Sequence, residues 1–370
     1  MTCKKATKLA RVAFAPAVAA MLVPAVLLTT LQTNAFKTAD AATYVSDYGS
    51  KNESIVAGAE LNERIAEEGI VLLKNSNNTL PLKTKGVGTQ STRVTLFGYN
   101  SVYPEAGASV NDTDASAGVT IATSDFYSGL AKAGYKTNPA VRAAYTDWKS
   151  LADTNTSDYA MGNINPVKAK EYSFADYGDA AIVVLGRTGA SSTNGGRTLA
   201  EGAGWEGDTT SHSRQIDKVQ KQLLDYVIEQ KNEGVFGNVI VIINDPIPLE
   251  LGYINEKADA VLWIGAPGAT GFNAVGKILS GEINPSGRLP DIYPVDMTKD
   301  PTYNNFGRNS LEPTETTAGG NQYTVGGQPV SAYFTDYEEG IYIGYRYYET
   351  MAVEVADENA NWYNENVVYP

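Results

Sequence analysis

Apolar residues gather in a few short runs separated by polar, Gly- and Pro-rich stretches. The runs at 93–98, 179–187, 239–243 and 258–264 are dominated by Val, Ile, Leu, Ala and Phe. Continuous apolar runs of this length suit strands buried on both faces of a parallel sheet. Between them the spacing turns helical. Residues 216–232 place Val219, Leu223, Tyr226 and Val227 on one side, which predicts an amphipathic helix. Residues 126–134 and 272–280 read as shorter helices. Residues 60–73 repeat Leu61, Ile65, Ile70 and Val71 near one face, with Gly69 ending or bending the helix before a strand-like 70–73. Segments 265–268 and 284–290 are Pro/Gly turns. Residues 135–172 show no strong pattern. Strands alternating with helices predict an α/β fold, a three-layer sandwich with a mainly parallel sheet. In such sheets the working loops lie at the carboxyl ends of strands, here after Phe97, Gly186, Ile243 and Ile264.

The loop 188–214 is the unusual one. A connection of over twenty residues without a pattern of its own signals function or disorder. It carries the carboxylates Glu201, Glu206 and Asp208. Arg187, which ends the preceding strand, could contact a substrate hydroxyl or pair with Asp208 or Asp179. Trp205 beside Glu206 would desolvate its carboxyl and raise its pKa, as a proton donor needs. The plain alternative is a set of solvated loop acids.

The first residues change the picture of where the domain works. Lys4, Lys5, Lys8 and Arg11 precede an uncharged, largely apolar stretch from 12 to 31, and Ala39-Asp40-Ala41 offers a small-residue cleavage site. Residues 1–41 read as a signal peptide or an amino-terminal membrane anchor, and 42–54 as a spacer. Either way the folded part is expected to be exported, secreted or held on the outer face of the membrane. The net charge of −13 argues against nucleic acid and anionic lipid as partners. The only cysteine, Cys3, lies in the leader, so neither a disulfide nor a thiolate metal site is expected, and no metal or cofactor is implied. The only histidine, His212, sits in a Thr/Ser-rich loop and is expected to be solvated. No phosphate-binding glycine motif occurs, which leaves a nucleotide-using enzyme without support.

Several motifs, taken as an ordered set, carry a resemblance. Asn244 ends a strand. Pro267-Gly268-Ala269-Thr270-Gly271-Phe272-Asn273-Ala274 and Gly281 to Pro290, with Asn284-Pro285-Ser286-Gly287-Arg288-Leu289-Pro290, follow in order. Upstream lie Ala66 to Asn75 with Leu80-Pro81-Leu82, and downstream Tyr337 to Tyr348. Over roughly residues 55–350 this resembles the second, α/β-sandwich domain of glycoside hydrolase family 3, the family of β-glucosidases and β-xylosidases. Residues 351–370 would begin a link to a further domain.

The resemblance implies a retaining glycoside hydrolase acting on a β-linked glucoside or xyloside, with the general acid/base glutamate on the 188–214 loop. Glu206-Gly207-Asp208 matches the family's short motif with one residue missing; Glu201-Gly202-Ala203-Gly204 fits the long form loosely. The nucleophile aspartate of the family lies on a separate (β/α)8 barrel, for which this chain has no room. The leader directly before the sandwich resembles the permuted subgroup with the barrel last. The competing reading is a non-catalytic carbohydrate-binding or scaffold module. Arg288 in its turn is expected to hold loop carbonyls, and Asn244 to cap a strand end.

Overall fold

The computed structural model describes residues 46–82, 91–107, 113–114, 119–120, 123–152, 164–186, 212, 214–302, 322–325, 328–331 and 337–370. The chain divides into two compact units, Met1–Ser54 and Ile55–Pro370.

The second unit is built on a six-stranded sheet. Its strands are β1 (Val71–Asn75), β2 (Arg93–Phe97), β3 (Lys136–Thr137), β4 (Ala180–Gly186), β5 (Val239–Asn244) and β6 (Ala260–Trp263). Their order across the sheet is β1-β6-β5-β4-β2-β3. All neighbours run parallel except β1, which pairs antiparallel with β6 at one edge. The four apolar runs read from the sequence are thus the four central strands, and the three-layer α/β architecture holds.

Strand alternation sends successive residues to opposite faces. Val183, Leu185, Val241 and Ile243 join one buried cluster, with Val141 and Tyr145 of helix α3 (Pro139–Ala152), Leu223, Leu224 and Val227 of α4 (Lys218–Asn232) and Ile254 of α5 (Gly252–Lys257). Ile182, Val184, Ile240 and Ile242 join the other, with Phe126 and Leu130 of α2 (Phe126–Lys132) and Val275, Ile278 and Leu279 of α6 (Phe272–Ser280). Both α2 and α4 start on complete capping boxes, Asp125/Ser128 and Asp217/Gln220, which satisfy the orphan N–H groups of the first turn.

Two sequence expectations need correction. Helix α3 falls in the stretch that showed no pattern. Its sequence does carry a helical repeat, Val141, Ala144, Tyr145, Trp148 and Leu151, of which Val141, Ala144 and Tyr145 are buried. Helix α1 (Lys51–Gly69) forms, but it starts nine residues before the expected 60, within the stretch read as a spacer, and Leu61 and Ile65 are 48% and 59% exposed. The helix docks instead by its polar edge. Asn62 donates to the Pro267 carbonyl and accepts from Thr270 N–H, while Glu63 and Glu67 reach Lys277 Nζ at 2.7 and 2.6 Å. Burial disfavours the Glu63 charge, but hydrogen bonds from Lys277 and Asn273 outweigh it and hold the carboxyl below its usual pKa. A depressed carboxylate pKa stabilises the fold above the unfolded value and is lost as pH falls through the folded one. Acid titration followed by exchange at α1 should therefore show this helix loosening before the central strands.

The α2–α6 crossing is close because two glycines face each other. A Cβ on Gly276 would lie 2.3 Å from the Gly129 carbonyl oxygen, and one on Gly129 would lie 2.3 Å from that of Phe272. Helix propensity alone would make Gly276→Ala stabilising by about 1 kcal/mol. Overpacking against backbone costs about 1–3 kcal/mol or more and wins, since a carbonyl cannot rotate away. Chemical denaturation of Gly276→Ala is expected to show a net loss; a gain would mean the helices separate freely.

Candidate functional site

The carboxyl edge of the sheet is assembled from three strand ends. Gly186 ends β4 and Asn244 ends β5, and the two are register partners. A Cβ on Gly186 would lie 2.6 Å from the Asn244 carbonyl oxygen and 2.7 Å from Asn100 Nδ2, so only glycine fits beneath Asn100. Asn100 lies on the turn Tyr99–Ser101 that follows β2. It is buried, and its Nδ2 has no hydrogen-bond partner among the described residues. The chain reaches this turn through Gly98, at φ 96°, whose N–H donates to the Tyr145 hydroxyl at 2.8 Å. A side chain at Gly98 would strike the Val184 carbonyl, its Cβ lying 2.3 Å away.

Asn244 does more than cap its strand. Its Oδ1 accepts the Glu105 N–H at 2.7 Å, and its Nδ2 donates to the carbonyls of Glu105 and Gly265 at 2.8 and 2.7 Å. One fully buried amide thereby ties the loops after β2 and β6 to the end of β5. Trp263 Nε1 adds a hydrogen bond to the Asp245 carbonyl at 3.0 Å. Asn244→Ala would strand one N–H and two carbonyls. At about 1–3 kcal/mol for a buried group left unsatisfied, partial solvation still leaves an expected loss of about 2–4 kcal/mol, measurable by urea unfolding. A loss below about 0.5 kcal/mol, an ordinary surface effect, would show that the three loops hold together without it.

The segment 187–211 leaves this edge at Gly186 and returns at His212. The expectation of a solvated histidine is wrong: His212 is 6% exposed. Its Nδ1 accepts the Arg214 N–H at 3.2 Å, so Nε2 carries the ring proton and donates to Glu250 Oε1 at 3.1 Å. Glu250, also buried, accepts from the Met297 N–H at 2.7 Å on Oε1 and from Gln215 Nε2 at 2.7 Å on Oε2. Burial of Arg214 lowers its guanidinium pKa, opposed by the charge of Asp245. The signal for this cluster was a lone charge between Leu249 and Leu251.

The residues singled out for chemistry, Arg187, Glu201, Trp205, Glu206 and Asp208, all lie outside the described residues. Loops predicted to work together after β2, β5 and β6 do converge through Asn244. Arg288 is exposed and holds no loop carbonyl among the described residues. Its turn is set instead by Gly287, where a Cβ would lie 2.5 Å from the Ile70 carbonyl oxygen. A cavity of about 500 Å³ lined by Asn78, Thr92, Asp179, Lys231 and Asp259 lies at the opposite, amino-terminal edge. Its Lys231–Asp259 pair is closed at 2.6 Å, and parallel sheets place their ligands at the other edge. Among the described residues no group of three or more His, Cys, Asp or Glu could hold a metal ion, and no helix is long and apolar enough to cross a membrane. Residues 1–41, read as signal or anchor, lie outside that description.

With this geometry in place, comparison with known proteins is informative. A β-glucosidase of Ruminococcus albus is 28% identical over 313 residues, covering 81% of this chain and 27% of its own length. Thermostable β-glucosidase B of Acetivibrio thermocellus is 28% identical over 295 residues, covering 80% of this chain and 31% of its own. The structure of β-glucosidase 3B from Thermotoga neapolitana in complex with glycerol superposes with a TM-score of 0.58 at 22% identity. It covers 82% of this chain and 37% of that one; at that identity the likeness shows the fold. The chain thus spans about a third of the length of the proteins it matches. The model of the glycosyl hydrolase family 3 C-terminal domain matches residues 70–345, three-quarters of the chain and all six strands of its sheet, and the protein belongs to glycosyl hydrolase family 3.

Proposed function

We propose that this chain is the sandwich part of an exported, retaining β-glucosidase-like enzyme and supplies its general acid/base from segment 187–211. The observation that carries the reading is the carboxyl edge itself. A loop with three carboxylates leaves the sheet at Gly186 and returns at His212, on the edge where Asn244 draws the neighbouring loops together. Family membership supplies the chemistry to which such a loop would contribute.

Glycoside hydrolysis with retention uses two carboxyl groups, one protonating the leaving oxygen and one attacking the anomeric carbon. Glu206 is assigned the first role, with Glu201 as the alternative. Trp205 would keep the Glu206 carboxyl protonated until it donates, and Asp208 and Arg187 would contact sugar hydroxyls. The attacking carboxylate would come from a separate barrel domain. Tyr337, Ile341, Tyr342 and Ile343, exposed at 74%, 68%, 48% and 42%, offer such a domain an apolar surface. Residues 1–41 would direct export, which an alkaline-phosphatase fusion to residues 1–54 would test by activity outside the cytoplasm. The acid/base assignment is tested by Glu206→Gln against Glu201→Gln in the enzyme that holds both carboxylates. Wild-type turnover in both variants would overturn it.

A further inference from the structure

We propose that the cavity at the amino-terminal edge of the sheet is a non-catalytic saccharide-binding site, separate from the carboxyl edge and independent of the acid/base assignment. Thr92, Asp179, Asn238 and Asp259 each stand immediately before one of the four parallel central strands, β2, β4, β5 and β6, and together form one wall. The turn Ser76–Asn78 after β1 and Lys231 near the end of α4 add to the lining. The volume of about 500 Å³ lies within the range of about 300–1,000 Å³ usual for small-molecule sites. Chemistry on a parallel sheet belongs to the other edge, so a ligand here is held and not turned over.

The lining groups select the ligand. Lys231 Nζ lies 2.6 and 2.7 Å from the two Asp259 oxygens, and Oδ2 also accepts the Val239 N–H at 2.7 Å. This closed pair recruits no ion. The side chains of Asn77, Asn78 and Asn238 make no hydrogen bond among the described residues. A carboxamide both donates and accepts, as does a sugar hydroxyl. An anion would use only the donors, and a cation only the acceptors. Pro81 and Leu82 add apolar surface for the C–H face of a pyranose ring.

The backbone shows that the two turn asparagines serve more than the turn. Asn77 and Asn78 sit at φ 54° and 53°, in the left-handed region where glycine is the default and asparagine is tolerated. Other groups fix the turn. The Asn75 amide donates to the Leu80 carbonyl at 3.0 Å and accepts its N–H at 2.9 Å, while the Thr79 hydroxyl donates to the Ser76 carbonyl at 2.7 Å. The Ser76 N–H donates to the Asp259 carbonyl at 2.8 Å and ties the turn to the wall. Glycine would meet the backbone requirement at both positions, yet two carboxamides stand there and both line the cavity.

The test titrates the 370-residue chain, labelled with nitrogen-15 at asparagine, with cellobiose and with xylobiose, and uses inorganic phosphate as the anionic control. The side-chain N–H signals of Asn77, Asn78 and Asn238 should shift together and saturate with at least one disaccharide, and stay unmoved in phosphate. The double variant Asn77→Gly/Asn78→Gly keeps the backbone of the turn and removes both amides. Binding read from the Asn238 signals should weaken about tenfold or more in it, with the urea midpoint unchanged. Shifts that never saturate, that phosphate reproduces, or that persist at full strength in the double variant overturn the site. If the double variant does not fold, Asn238→Ala decides, read from the Asn77 and Asn78 signals: unweakened binding overturns the proposal. Failure here leaves the Glu206 assignment standing, because that assignment is read by turnover and this one by binding.

Discussion

Glu206→Gln, made in the enzyme that contains both carboxylates, should lower turnover of an alkyl β-glucoside by about 10²–10⁴-fold, the usual worth of a positioned proton donor. Glu201→Gln should cost far less. The distinction rests on neighbours in sequence: Trp205 precedes Glu206 and Asp208 follows it by two, whereas Glu201 is flanked by Ala and Gly. The defect should shrink for nitrophenyl glycosides, whose leaving group departs without protonation. Azide should then restore part of the rate, because a small anion can attack the glycosyl-enzyme intermediate without a general base. If Glu201→Gln shows this pattern and Glu206→Gln behaves as wild type, the roles are exchanged. If neither does, the acid/base lies outside the loop.

The purified 370-residue chain is expected to hydrolyse aryl β-glucosides at no more than a trace of the rate of the whole enzyme. One glutamate can transfer a proton but cannot form the covalent glycosyl-enzyme intermediate, and retention requires that step. Of the described carboxylates at the carboxyl edge, Glu105 accepts the Gly107 N–H at 2.9 Å and Asp245 accepts the Ile247 N–H at 2.9 Å. Glu250 is buried and engaged by three donors, and Asp259 lies at the far edge, bonded to Lys231. Substantial turnover by this chain would require a nucleophile within it, and Asp208 is then the first to mutate. The Glu206 experiment asks which residue moves the proton, whereas this one asks whether the chain is sufficient.

Much of the architecture was legible because burial leaves a mark on composition. Strands covered on both faces can hold little that is polar, so β4, β5 and β6 declared themselves as apolar runs. Glycines that permit close approach, such as Gly271 and Gly287, stood in motifs that carried the family resemblance. Helix α3 was legible as well, since Val141, Ala144, Tyr145, Trp148 and Leu151 stand at helical spacing, but the polar residues between them and the patternless sequence after it hid the repeat. Helix α1 was found but its face was misjudged, since hydrophobic spacing is read on the assumption that the apolar side is buried. In α1 the ion pairs to Lys277 and the amide of Asn62 decide the orientation.

The sequence by itself determined the α/β class, the four central strands and the family to which the chain belongs, because these depend on which residues water excludes and on spacings along one stretch of chain. Only the tertiary structure decided the polar ties. Asn244 looked like a strand cap, and it joins three loops; His212 looked solvated, and it is buried against Glu250. Each tie pairs side chains or backbone groups that are remote in sequence, 139 residues for Asn244 and Glu105 and 38 for His212 and Glu250. A hydrogen bond is specified by position and angle in space, and neither can be read from the composition of one segment.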